Sequence, residues 1–280
     1  VNMDLSNENV IHMQKNGIEY LQFRKLLPYQ DKLKHAYSIG IDRNYRTAKV
    51  NKEKIEPEKY QKAIKDYESL CQAIGSNYKH IVKPNQEHTQ EVKIVTRKIN
   101  NQEPDFNLEQ YNNTDGLITK EKEIMLATTN ADCILLLFYD PVKNVIANTH
   151  SGWKGTLQRI SVKTVEKMIK EYHSNPEDII CCMCPSIRKC HFEVDKDVKD
   201  LFEKEYQDLN LNEIIEEKIL NKKWNIDTVL INQMILEKEG LKKENIIDSK
   251  ICSVCHCDKI HSYRVEKQGY GLNTACIELI

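Results

Sequence analysis

Cys133-Ile134-Leu135-Leu136-Leu137-Phe138-Tyr139-Asp140-Pro141-Val142-Lys143-Asn144-Val145-Ile146-Ala147 is the stretch that decides the fold. Ile134 to Tyr139 is an unbroken apolar run, the pattern of a buried strand. Asp140 to Asn144 supplies turn chemistry, and Val145 to Ala147 begins a returning strand. The run is far short of the ~18 apolar residues that cross a bilayer.

Working outward, Gly116 to Thr119 and Ile124 to Thr128 read as two further short strands, and the Asn- and Gln-rich residues 99–115 as a loop. Downstream, Gly152 and Gly155 bracket a tight bend. A helix follows with Leu157, Ile160, Thr164, Val165, Met168 and Ile169 on one face, and Asp178 to Met183 forms another buried strand. Near the start, Val10 to Met13 and Ile18 to Phe23 flank Lys15-Asn16-Gly17 with hairpin spacing. Tyr60, Ala63, Ile64, Tyr67, Leu70 and Cys71 then mark one face of a helix running from Pro57 to just before Gly75. Residues 194–246 read as two or three helices, and Ile251 to Ile280 as short strands. No repeat or linker interrupts the chain, so the expectation is one layered α+β domain over residues 1–280, with mixed sheets packed against helices.

Charge narrows the function. With 41 basic and 42 acidic residues, the net charge is -1, which argues against a nucleic-acid partner held by bulk electrostatics. No segment reads as a membrane span, and Val1 to Asn9 lacks the layout of a secretory signal. The expected location is cytoplasmic, where ten cysteines point to metal ligation, catalysis or reduced thiols rather than to a disulfide framework.

Three neighbourhoods carry candidate chemistry: Gln86-Glu87-His88, Ala131-Asp132-Cys133 and His150-Ser151-Gly152-Trp153-Lys154-Gly155. The turn at Asp140-Pro141 brings Cys133 and His150 back alongside each other. Two imidazoles and a thiolate suit zinc, and three protein ligands leave a fourth position open, where a water would be acidified to a pKa of about 7. Asp132, pointing the other way along the strand, has no role in this reading. The same residues admit a metal-free alternative, with Cys133 as nucleophile and His150 as its base in a thiol hydrolase or amidase.

These pieces, in this order, resemble the signature of the YfiH-type family, formerly called laccase-like and now described as purine nucleoside phosphorylases. Thr114-Asp115-Gly116-Leu117-Ile118-Thr119, Pro185-Ser186-Ile187 with Cys190-His191-Phe192-Glu193-Val194, Ser262-Tyr263-Arg264 and His35-Ala36-Tyr37-Ser38 also match family segments. The resemblance implies the cytotoxic necrotizing factor/YfiH-like fold and a zinc-dependent enzyme. That enzyme would phosphorolyse adenosine, inosine and methylthioadenosine and deaminate adenosine, with small purine nucleosides and phosphate as its partners. It carries over His88, Cys133 and His150 as zinc ligands. Lys154, Arg188 and Arg264 are then candidate anion contacts, Trp153 and Tyr263 candidate base-stacking groups, and Cys255 a pocket-lining residue.

Two family arginines are missing: Ile39-Gly40-Ile41-Asp42 follows Ser38, and Tyr270-Gly271-Leu272 replaces Thr-Gly-Arg. Copper is disfavoured as cofactor, since none of the nine histidines forms a His-x-His pair. The family's link to peptidoglycan precursor quality leaves a non-enzymatic factor as a further alternative. The remaining cysteines read as reduced thiols in strands. Cys252-Ser253-Val254-Cys255 offers a zinc half-site whose partner would be Cys181-Cys182-Met183-Cys184 or Cys190-His191.

Overall fold

The computed structural model describes residues 4–47, 55–96, 104–106, 108–218 and 222–280. Its strands, in chain order, are β1 (Val10–Lys15), β2 (Ile18–Phe23), β3 (Leu33–Ile39), β4 (Ile81–Lys83), β5 (Val92–Ile94), β6 (Asp105–Phe106), β7 (Gly116–Thr119), β8 (Met125–Asn130), β9 (Ile134–Asp140), β10 (Val145–Ser151), β11 (Ile180–Met183), β12 (Glu193–Val194), β13 (Ile215–Lys218), β14 (Lys223–Ile226), β15 (Ile246–Asp248) and β16 (Asn273–Leu279). The helices are α1 (Pro57–Ile74), α2 (Trp153–Leu157), α3 (Ile160–Tyr172), α4 (Lys196–Glu205), α5 (Leu211–Ile214), α6 (Thr228–Lys238) and α7 (Tyr263–Glu266).

Two mixed sheets form the centre, within the layered α+β arrangement expected. One has the order β1-β2-β3-β16-β8-β4-β6, the other β15-β11-β9-β10-β7-β5. Between them, Leu21, Phe23, Leu126 and Ile277 of the first sheet meet Leu135, Leu137, Tyr139 and Ile146 of the second. The opposite face of β9, Ile134, Leu136 and Phe138, packs on Ile160, Val165 and Met168 of α3 and Val229 and Leu236 of α6. Strand β9 is therefore buried on both faces, which explains its unbroken apolar run. Each Leu-sized side chain buried there contributes about 1.5–3 kcal/mol. On the outer face of the first sheet, Tyr67, Leu70 and Cys71 of α1 cover Ala36, Ile81, Met125 and Cys276. The layers run α1, sheet, sheet, then α3 with α6.

Several expectations hold. Asn16 and Gly17, with φ of 54° and 73°, close the β1–β2 hairpin in the mirror-image turn that suits twisted strands. Helix α1 ends at Gly75, whose φ of 73° suits the left-handed cap that glycine adopts without strain.

Other expectations are corrected. The helix after the Gly152 bend is broken, because Arg159 adopts φ 56° between α2 and α3. Part of the expected 99–115 loop falls outside the described residues; of the rest, Asp105–Phe106 pairs with β4, and a 3-10 turn spans Glu109–Tyr111. The 194–246 segment contains its three helices but also the β13–β14 hairpin, joined to β12 in a three-stranded sheet. In the 251–280 segment the only named strand is β16; turns and the short α7 fill the remainder. In the 251–272 stretch Ser253 and Ser262 bind Asp132, His261 pairs with Glu266, and the His261 N–H donates to Asn273, contacts that leave no periodic trace in a sequence.

Candidate metal centre

Strands β9 and β10 pair antiparallel, with His150 opposite Leu135 and Ser151 opposite Ile134. Cys133 stands one residue before β9, so the hairpin brings it to the end of β10 where His150 projects. His88 arrives from the connection between β4 and β5. The ligand atoms of His88, Cys133 and His150 all lie within 4.8 Å of one another. His88 Nε2 is 3.8 Å from Cys133 Sγ, and the two imidazoles meet edge to face with centroids 4.9 Å apart.

Asp115 organises this meeting, a role that the sequence reading missed. It directly precedes β7, which pairs with β10 through Gly116 and Thr149. Its Oδ1 lies 2.8 Å from His150 Nδ1, which leaves the other ring nitrogen of His150 for the cluster. The same carboxylate accepts the backbone N–H groups of Glu87, His88 and Thr89 at 3.2, 3.1 and 2.7 Å. His88 takes a left-handed conformation, φ 60°, inside that wrap. Gln86 fixes the same loop to β8, donating to the Thr129 carbonyl and accepting the Thr129 N–H, both at 2.8 Å. A carboxylate behind an imidazole ligand is a common support in metal sites, because it fixes tautomer and ring direction.

Electrostatics favour charge separation at the cluster. Burial would push the Cys133 thiol up, but the charge and hydrogen bonding of His150 and His88 outweigh it and bring the thiol down to about 6. His150 is the counterpart: burial works against its cation, while Cys133 and Asp115 raise it to about 10. Burial also acts to raise Asp115, and His150 with Thr89 holds it below the usual carboxylate range.

Gly152 completes the cradle. A Cβ there would stand 2.6 Å from His88 Cδ2 and 3.1 Å from Cys133 Sγ, so the cluster closes over a position that only glycine fills without displacement.

Asp132 requires a correction. It does not lie along a strand but in the β8–β9 turn, with φ 86°. Its carboxylate accepts the Ser253 and Ser262 hydroxyls at 2.6 and 2.7 Å and the Arg264 backbone N–H at 2.7 Å. It thus ties the C-terminal loops to the residue next to Cys133.

The other candidates divide. Trp153 and Lys154 follow Gly152 directly. Trp153 packs, partly buried, against the cluster of Phe202, Tyr206 and Ile226, with Lys154 Nζ 5.5 Å from its ring centre. Tyr263 is 53% exposed and meets Tyr270 edge-on at 5.0 Å. The Arg264 guanidinium donates to the Glu193 carbonyl at 3.2 Å. Arg188 is committed elsewhere, in a bidentate pair with Asp248 at 2.5 and 2.6 Å. Cys255 faces His191, 3.6 Å away, rather than the tripod. Arg43, near the first missing family arginine, pairs with Asp66 at 3.2 Å.

Two imidazoles and a thiolate with a carboxylate behind them suit a divalent metal with an open position. Among the described residues, no helix is long and apolar enough to cross a membrane.

Residues 43–280 match the family described as multi-copper polyphenol oxidoreductase laccase. A human protein named purine nucleoside phosphorylase is 29% identical over 214 residues, 75% of this chain but 46% of its own length, so the chain spans about half of that relative. A protein named adenosine deaminase, from an unknown prokaryotic organism, is 29% identical over 196 residues, 70% of this chain and 74% of its own. The solved structure of the hypothetical protein YfiH of Bacillus licheniformis superposes with a TM-score of 0.79 at 22% identity, covering 95% of this chain and all (100%) of that one. The expected mixed α and β fold of the YfiH type is thereby found.

Proposed function

Because this chain belongs to the family described as multi-copper polyphenol oxidoreductase laccase, we propose that it is a zinc-dependent purine nucleoside phosphorylase with adenosine deaminase activity. Its substrates are adenosine, inosine and methylthioadenosine. The observation that carries the reading is the convergence of His88, Cys133 and His150 on one point, with Asp115 holding both histidines. The names of the relatives support the reaction class. The His-Cys-His donor set supports zinc, and no His-x-His pair supports a copper cluster.

His88, Cys133 and His150 would hold the zinc, which when bound would supply the Lewis-acid chemistry that activates water. The residues of the chain do the rest. Asp115 holds the His150 ring in one direction and keeps its Nδ1 proton in place. Lys154 and Arg264 supply positive charge for phosphate, while Trp153 and Tyr263 offer faces for the purine. In phosphorolysis, a phosphate oxygen bonds the ribose anomeric carbon as the bond to the purine nitrogen breaks. The base leaves with the electron pair and takes up a proton. In deamination, water adds at the amino-bearing purine carbon and ammonia departs. Residues 1–280 act as one unit in this reading, since β16 lies between β3 and β8. A cytoplasmic setting suits its free thiols.

A second reading has one specific observation in its favour. Asp115, His150 and Cys133 are arranged as orienting acid, base and thiol, the order a metal-free cysteine hydrolase needs.

Elemental analysis paired with adenosine turnover tests the proposal. Zinc in the purified chain, adenine formed only with phosphate and inosine formed without it are expected. Turnover that survives Cys133→Ala, or a chain with no nucleoside turnover at all, would overturn it.

A further inference from the structure

A second group of soft ligands stands apart from the tripod. Cys190, His191, Cys252 and Cys255 present ligand atoms that all lie within 4.8 Å of one another. They come from two loops. Cys190 and His191 sit in the turn that follows β11, where the His191 and Phe192 N–H groups both donate to the Arg188 carbonyl at 2.8 Å. Cys252 and Cys255 bracket a turn after β15, closed by the His256 N–H donating to the Cys252 carbonyl at 3.1 Å. A parallel bridge between Ser186 and Cys252 joins the loops, and the Ser253 N–H donates to the Ser186 carbonyl at 3.0 Å.

The interatomic distances test what such a group can hold. Zinc bonds of about 2.3 Å to sulfur and about 2.0–2.1 Å to nitrogen give a tetrahedron with S···S edges of about 3.8 Å and S···N edges of about 3.6 Å. Cys190 Sγ and Cys252 Sγ are 3.7 Å apart. His191 Nδ1 is 3.6 Å from both Cys252 Sγ and Cys255 Sγ. The edge from Cys190 Sγ to His191 Nδ1 is shorter, 3.1 Å, and joins adjacent residues. A disulfide does not account for the group: its sulfurs would be about 2.05 Å apart, and it would not draw an imidazole nitrogen toward three sulfurs. Cys181, Cys182 and Cys184, the alternative half-site in sequence, take no part; all three are buried in or just after β11.

We propose that Cys190, His191, Cys252 and Cys255 form a second, closed zinc site of structural type. Four protein ligands fill the tetrahedron, so no position is left for substrate. Cys252 forms the buried floor, and Cys190 and Cys255 the exposed rim. The ion staples the 186–192 loop to the 252–257 turn. Both hang on Asp132, whose carbonyl accepts the Ile187 N–H at 2.8 Å and whose carboxylate accepts the Ser253 hydroxyl at 2.6 Å. The staple therefore braces the turn that carries Cys133, without using the tripod's ligands.

The test separates the two sites. Metal content is measured for the full chain, for Cys133→Ser and for Cys190→Ser, and the metal-free chains are then titrated with cobalt(II). The expected result is one ion retained by Cys133→Ser, with tetrahedral cobalt bands and sulfur-to-metal charge transfer of about three-thiolate strength. Cys190→Ser loses that signal and keeps the weaker single-thiolate one. Chelator lowers the melting temperature of Cys133→Ser by several degrees more than that of a Cys133→Ser, Cys190→Ser double variant. If Cys133→Ser takes up no metal, or its cobalt adduct lacks thiolate charge transfer, the second site is refuted. If the full chain holds one ion that Cys190→Ser loses and Cys133→Ser keeps, the second site stands and the tripod reading falls.

Discussion

Asp115 Oδ1 lies 2.8 Å from His150 Nδ1, and the same carboxylate binds the backbone that carries His88. One side chain thus governs two of the three proposed ligands, although it touches no metal itself. Asp115→Asn keeps the shape but places an amide where acceptors are needed. Zinc affinity at the tripod is expected to fall about 10–100-fold, measured by chelator competition in a Cys190→Ser background. An affinity equal to that of the parent would show that Asp115 does not orient the site.

Gly152→Ala forces a methyl group to within 2.6 Å of His88 Cδ2 and 3.1 Å of Cys133 Sγ. His88 stands on a loop and yields first. The expected outcome is loss of tripod zinc and of nucleoside turnover, with the melting temperature lowered by only a few degrees. Normal metal content in this variant would mean that the ring moves aside without leaving the ligand set.

Cys133 separates the metal reading from the thiol-nucleophile reading. If the thiolate is a ligand, zinc loading shields it from iodoacetamide, and alkylation of Cys133 in the metal-free chain slows by at least about tenfold after zinc is restored. Mass mapping of the alkylated peptide checks the site. Alkylation at the same rate with and without zinc would favour a hydrolase using Cys133 and His150.

His35 sets a pH limit on stability. Burial lowers its pKa from 6.5 to about 4, and its Nε2 accepts the Phe23 N–H at 2.8 Å. The folded state therefore binds fewer protons than the unfolded state between those values. Stability is full above pH 6.5 and is lost as pH falls toward 4, by about 3 kcal/mol from this residue alone. Melting curves should show a steeper acid decline for the parent than for His35→Gln; parallel curves would exclude His35 as the cause.

Much of the centre was legible in sequence because burial on both faces writes itself as composition. The unbroken run Ile134 to Tyr139 could pack in few ways, and the turn after it fixed which residues neighbour Cys133. Asp115 was not legible. Its importance lies in accepting backbone N–H groups from residues 87–89, a contact across a parallel strand pair that no local pattern records. Asp132 misled for a related reason: alternation along a strand applies only inside the strand, and a residue at φ 86° lies outside it. In sequence, the segment after Ile251 reads as short strands. Its order comes instead from Asp132, Glu266 and Asn273, which bind turns through side chains. For Arg188, residue type pointed to an anion, and that anion is Asp248 of the chain itself.

The position of β16 has a consequence for how the protein is made. Its register pairs Ala36 with Cys276 on one side and Ala127 with Cys276 on the other. A chain leaving the ribosome presents β3 and β8 early, each with an open hydrogen-bonding edge, and cannot close the gap until residue 279 has been added. The two halves of the sheet wait for a strand made long after both of them, so folding is dominated by long-range pairing and is correspondingly slow. During that wait the open edges can pair with a neighbouring nascent chain. Yield during expression should therefore depend on temperature and chaperone supply more strongly than the stability of the finished fold would imply.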